Sequence, residues 1–202
     1  MKKKKGEKVD NSCAALKAQL RRAYLPPDAR VLDLFAGHGE MYRRAYAGNV
    51  SNYYGVDKQV VHDAALCTLG DNIKFVCQND ITKYNVFDLD AYGIPWDLFF
   101  LIIKRLKKGE YIFFLTDGMN INLNNSRGYC LSKLIRATEG FFRRFTLLGM
   151  QRFYIDIIKT IFWNAETRYG IKIEMAKYAH NKTYMYSIPT VYYWVLKVTK
   201  LC

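Results

Sequence analysis

The sequence predicts an α/β fold, with a mostly parallel sheet that carries helices on both faces. Three observations lead there. Short apolar runs alternate with helix-length segments through the first 117 residues, a glycine-rich turn joins the first run to the segment after it, and the last two runs follow one another with no helix between them. Parallel neighbours need a crossover, usually helical, whereas a direct return makes an antiparallel pair.

Taken in order, residues 1–11, opening "MKKKKGEK", read as a flexible basic tail, and residues 12–202 as one domain. Leu16 to Tyr24 has helical spacing, and Pro26 and Pro27 stop it. "RVLDLFAG" is a strand ending in glycine and "GEMYRRAYA" the helix behind it. "NYYGVD" is the second strand, and "KQVVHDAALCTLG" the second helix, closed by Gly70. "IKFVCQND" reads as the third strand, "VFDLDAYG" as the fourth, "WDLFFLIIKRLKKG" as a helix with a glycine stop and "EYIFFLTDG" as the fifth strand. Ser132 to Trp163 is helical and basic on one side, with a break near Gly140. "IKIEMAKYA" and "VYYWVLKVT" close the sheet as an antiparallel pair.

The charge narrows the partners. Thirty-one Lys and Arg against 18 Asp and Glu leave +13, which favours a polyanion: nucleic acid first, an anionic membrane surface second. The five cysteines form no C-x-x-C pair and His38, His62 and His180 stand far apart, so neither a disulfide framework nor a metal site is expected. The start lacks the apolar stretch of a signal peptide, and runs such as Leu98–Ile103 are too short to span a bilayer. A soluble, cytoplasmic protein without stable membrane insertion is the expectation.

Chemistry concentrates at strand ends. "VLDLFAGHG", Val31 to Gly39, joins strand to helix through small residues that let a ligand approach the backbone, with free N–H groups at the helix start. Asp57 ends the next strand, 24 residues after Asp33, where a carboxylate accepts hydrogen bonds from a ribose diol. Asp80 ends the expected third strand. A dinucleotide-binding domain is the competing reading, but no full G-x-G-x-x-G is present. "NVFDLDAYGIPW" then puts Asp88 and Asp90 inside an apolar run. Burying an unpaired carboxylate costs several kcal/mol or raises its pKa, so both need a partner or a task.

This order of motifs resembles the class I S-adenosylmethionine-dependent methyltransferases, over nearly the whole chain from about residue 12. The resemblance implies the Rossmann-like fold of that family, with a seven-stranded sheet and the closing antiparallel pair. It implies S-adenosylmethionine as cofactor and S-adenosylhomocysteine as product. The loop holding Asp33, Phe35, Ala36, Gly37 and Gly39 would wrap the methionine part, Asp57 with Lys58 beside it the ribose, and Asp80 flanked by Asn79 the adenine. "DLDAYGIP" looks most like the "DLDPFG" element of tRNA guanine-N2 methyltransferases, with alanine in place of proline. By that likeness Asp90 would hold an exocyclic amine, Tyr92 or Trp96 would stack on the base, and Asp88 would bind the cofactor or pair with a Lys or Arg.

No proline precedes a cysteine, which disfavours the covalent chemistry of cytosine-C5 methyltransferases. "FFRRFTLLGMQRFYIDIIKTIFW" reads first as a helix packing on the sheet, and second as a substrate-gripping face through Arg143, Arg144 and Arg152. The expected activity is methyl transfer to a base nitrogen of nucleic acid, RNA (tRNA or rRNA) before DNA. A partner protein that supplies recognition stays open. So do small-molecule or protein methylation and an inactive binding module of the same fold.

Overall fold

The computed structural model describes residues 13–59, 63, 65–91, 93–118, 152–180 and 191–201. In chain order these form α1 (Ala14–Tyr24), β1 (Arg30–Asp33), a π-type helix (Tyr42–Tyr46), β2 (Asn52–Asp57), β3 (Cys67–Leu69), α2 (Asn72–Gln78) and β4 (Val86–Leu89). There follow α3 (Trp96–Arg105), β5 (Gly109–Asp117), α4 (Tyr154–Tyr169), β6 (Ile171–His180) and β7 (Tyr192–Lys200). The expected tail, the break at Gly140, Tyr92, Arg143 and Arg144 lie outside the described residues.

Seven strands form one sheet in the order β3-β2-β1-β4-β5-β7-β6. The first five run parallel, and β7 lies antiparallel between β5 and β6. Reversal of strand order on either side of β1 leaves a crevice outside its carboxyl end, the place where open α/β sheets take ligands.

The period-two alternation along the strands sends successive side chains to opposite faces. Val31, Val86, Phe114 and Val195 pack with Ala14 and Ala18 of α1 and Ala45 of the π-type helix. Leu32, Phe87, Phe113 and Leu196 lie in the other, larger core with Phe99 and Ile102 of α3 and Ile158 of α4. Both faces are covered, which is why the central strands read as continuous apolar runs. The chain leaves α1 extended at Leu25, before the two prolines, and α4 ends on Gly170 at φ +58°, a left-handed stop that glycine adopts without strain.

The sequence expectation fails in one stretch. Cys67–Leu69, expected to be the end of a helix, is strand β3, and "IKFVCQND", expected to be the third strand, supplies helix α2. Short apolar runs do not separate helix from strand by periodicity. What decides here is Asp71, whose side chain accepts the Lys74 amide at 3.0 Å and caps α2. The helix of "GEMYRRAYA" is also short: its last turn is wound π-fashion, with the Ala47 amide reaching Tyr42 O at 2.8 Å.

Candidate functional site

The loop after β1 is strung between three strands. Leu34 N donates to Asp88 O of β4 at 3.0 Å and Ala36 N to Val56 O of β2 at 3.2 Å. Gly37 N donates to the Asp57 carboxylate at 2.9 Å. Gly37 and Gly39 sit at φ +51° and +72°, backbone that side chains rarely tolerate. The other oxygen of Asp57 accepts Gln59 N at 2.9 Å, so this carboxylate fixes the loop and the start of the segment after β2. Asp33 accepts Phe35 N and the Tyr53 hydroxyl, each at 3.0 Å. Burial, then the charge of Asp88 across the ladder, raise its pKa well above the ordinary carboxylate value. The loop residues Asp33, Phe35, Ala36, Gly37 and Gly39 are thus brought to one sheet edge with Asp57.

Asp80 and Asn79 are not at that edge. The helix α2 carries the chain back across the sheet, so both lie near the start of β4, where Arg105 donates to Asn79 O at 3.1 Å. Asp80 is spent on its own turn, accepting Thr82 N and Oγ1 at 2.9 and 2.7 Å. The position expected of Asp80 belongs to Asp71, the second residue beyond β3. Gly70 N donates to Asp57 O at 2.9 Å, and Lys58 Nζ stands 2.7 Å from Asp71. That contact, then the Lys74 amide, hold the Asp71 carboxyl below its ordinary value. Beside it Asn72 Oδ1 is buried without a hydrogen-bond partner among the described residues. The signal for Asp71 was present in "GDNIK", a helix-capping pattern, and was masked by reading that stretch as a strand.

The two carboxylates of β4 take different partners. Asp88 is 0% exposed and receives Arg21 Nε and Nη2 at 2.6 Å each and the Tyr46 hydroxyl at 2.5 Å. Burial alone would lower the pKa of Arg21, but Asp88 and neighbouring acids raise it above its ordinary value. With both oxygens engaged under α1, Asp88 is a core ion pair: of its two expected roles the structure shows the pairing with an Arg, and cofactor binding is corrected. Asp90 receives Lys17 Nζ at 2.6 and 2.9 Å and keeps 13% side-chain exposure. Burial pushes its carboxyl up, yet Lys17 and then Arg21 outweigh this and hold it below the ordinary value. Beyond it Gly93 adopts φ +132°, and its carbonyl accepts Gly118 N of the β5 end at 2.7 Å.

Lys17, Arg21 and Tyr46 were not anticipated. Their trace in the sequence is a Lys and an Arg four apart on the same helix face as Ala14 and Ala18. Trp96 is corrected as a stacking surface: it is 1% exposed and packs edge-on against Phe99, Phe162 and Trp194. Arg152 is exposed just before α4. Among the described residues no group of three His, Cys, Asp or Glu is placed to hold a metal ion, and no helix is long and apolar enough to cross a membrane.

No protein-family model and no curated protein sequence matches the chain. Solved structures do match. TYW2 of M. jannaschii, solved in complex with AdoMet, aligns at TM-score 0.56 and 13% identity, over 96% of this chain and 80% of that one. Trm1 of Pyrococcus horikoshii, solved with S-adenosyl-L-methionine, aligns at TM-score 0.62 and 12% identity, over 94% of this chain but only 55% of its own. A Streptococcus thermophilus protein named as a hemolysin aligns at TM-score 0.56 and 14% identity, over 99% of this chain and 70% of that one. At these identities the likeness is one of fold: the Rossmann-like fold of class I methyltransferases.

Proposed function

We propose that this chain is an S-adenosylmethionine-dependent methyltransferase that methylates a base nitrogen of RNA. The observation that carries the reading is the convergence at one sheet edge of the Gly37–Gly39 turn, Asp57, Asp71 and Asp90. Two neighbours in fold are described with that cofactor, and the residues here fit it. The positive-φ turn leaves the backbone bare, Asp57 closes β2 where a carboxylate of this fold meets a ribose diol, and Asp71 with the unpartnered Asn72 Oδ1 offers acceptors for an exocyclic amine.

When bound, S-adenosylmethionine supplies an electrophilic methyl on a sulfonium. The chain's own part is to hold the loop on β2, orient the acceptor amine and exclude competing partners. Asp90, ionised just beyond the end of β4, accepts an N–H of the amine and directs its lone pair. It takes the proton that the nitrogen releases as it gains the methyl, and passes it to solvent in turn. The Gly93–Gly118 contact keeps the backbone after Asp90 in place. The +13 charge suits a phosphate backbone, with Arg143, Arg144 and Arg152 as candidate contacts and residues 12–202 acting as one domain.

A second reading has one observation in its favour: Lys17 already donates to both oxygens of Asp90. A non-catalytic module would bind cofactor and RNA without transferring methyl. Calorimetry with S-adenosylmethionine, followed by transfer of labelled methyl to transcribed tRNA, rRNA and DNA, separates the two. Binding with transfer to RNA supports the enzyme, binding without transfer supports the module, and no binding ends both. RNA affinity is expected to fall log-linearly with salt.

A further inference from the structure

Lys17 and Arg21 stand one turn apart on α1, and Asp88 of β4 stands two residues before Asp90, the residue just past the end of that strand. Four residues of helix rise about 6 Å and two of strand about 6.6 Å, so both cations meet both carboxylates without distortion. The two pairs differ in setting. Arg21–Asp88 is sealed, with Tyr46 as third partner. Lys17 is 5% exposed, 5.7 Å from the Tyr193 ring, and its carboxylate partner keeps an open side. A carboxylate has roughly four acceptor positions; Lys17 uses one on each oxygen and the Thr116 hydroxyl faces a third, which leaves room for one further donor.

We infer that Lys17 is a positioning residue for methyl transfer, clamping both oxygens of Asp90 so that the remaining acceptor position meets the substrate amine. This rests on the amine-methylation reading above. The groups facing Asp90 are Lys17 and Arg21 from α1, Asp88 on its own strand, Thr116 from β5, and Tyr193 from β7 with Cys13 beside it. Without Lys17, burial dominates: Arg21 stays 4.0 Å away and is committed to Asp88. Asp90 then loses both its orientation and its ionised form at mildly acidic pH.

The test is single-turnover transfer from labelled S-adenosylmethionine to a transcribed tRNA pool, as a function of pH, for wild type, Lys17→Met and Lys17→Arg. Lys17→Met is expected to slow transfer by about 10²-fold, the usual cost of a small misplacement, with cofactor affinity unchanged within about two-fold. Its acid limb should move to higher pH, while Lys17→Arg restores the wild-type limb and most of the rate. Lys17→Gln, which keeps a donor without charge, serves if Lys17→Met does not fold, and should show the same upward move of the limb. Either neutral variant turning over at the wild-type rate, or slowed with an unmoved acid limb, overturns the role and leaves the functional reading standing. Wild type that binds cofactor and methylates no RNA ends that reading, and this role with it.

Discussion

Gly118 N donates to Gly93 O at 2.7 Å, tying the end of β5 to the turn that follows β4. Gly93 sits at φ +132°, and a Cβ on Gly118 would lie 3.3 Å from that same carbonyl oxygen. Both glycines are therefore fixed by geometry. The contact fixes Gly93 against the end of β5, three residues beyond Asp90.

Gly93→Ala forces a side chain into that conformation and is expected to cost about 1–3 kcal/mol of stability. Thermal melts should fall accordingly. Methyl transfer should drop further than cofactor affinity, since the Asp33–Gly39 loop is held by β2 and by the Asp88 carbonyl, both away from the Gly93 turn. Equal stability with normal transfer would show that the turn relaxes freely.

Asp71 and Asp80 divide the sheet edges between them. Asp71→Ala is expected to weaken S-adenosylmethionine binding by about 1.5–3 kcal/mol, the worth of hydrogen bonds to a charged group. Asp57→Ala should do the same and loosen Gly37 as well. Asp80→Ala should leave calorimetric affinity unchanged, because it lies at the opposite edge with Oδ1 accepting from Thr82. Loss of binding in Asp80→Ala with none in Asp71→Ala would reverse the assignment.

Arg21→Met leaves Asp88 buried and unpaired, which is expected to cost about 3–5 kcal/mol. Replacing the group together (Arg21→Met, Asp88→Leu, Tyr46→Phe) should recover most of it, since a buried ion pair repays little beyond its own desolvation. Urea melts of the single and triple variants decide this. A triple variant as unstable as the single would mean the pair contributes beyond compensation.

The alternation of strands and helices, the closing antiparallel pair and the loop from Asp33 to Gly39 were legible because each rests on local pattern: apolar period, glycine at a turn, acid at a strand end. Asp71 was missed because seven residues of helix, with Val76 its one fully buried side chain, look like a strand. Lys17 and Arg21 were missed for another reason. Their partners are 73 and 67 residues away, and a cation on a helix reads as solvated unless the opposing strand is known. The paired acids of β4 were the visible half of that arrangement.

The pH dependence of stability is expected to follow Asp33. Its carboxyl, raised by burial and by Asp88, stays protonated in the folded chain where the unfolded chain has released its proton. The folded state then binds more protons, so stability is full below the unfolded carboxylate value of about 3.9 and falls as pH rises toward the folded value. Asp90 works oppositely and in a lower window: its depressed carboxyl stabilises above the unfolded value and loses that contribution only as pH drops through the folded one. Over the range from the unfolded carboxylate value of about 3.9 up to the folded one, the decline therefore belongs to Asp33. Asp33→Asn should flatten it, since the amide oxygen still accepts Phe35 N and the amide nitrogen still meets the Tyr53 hydroxyl. Urea melts at both ends of that range measure the slope for wild type and variant. An unchanged slope in Asp33→Asn would place the buried proton elsewhere in the cluster of Asp33, Asp88, Arg21 and Tyr46.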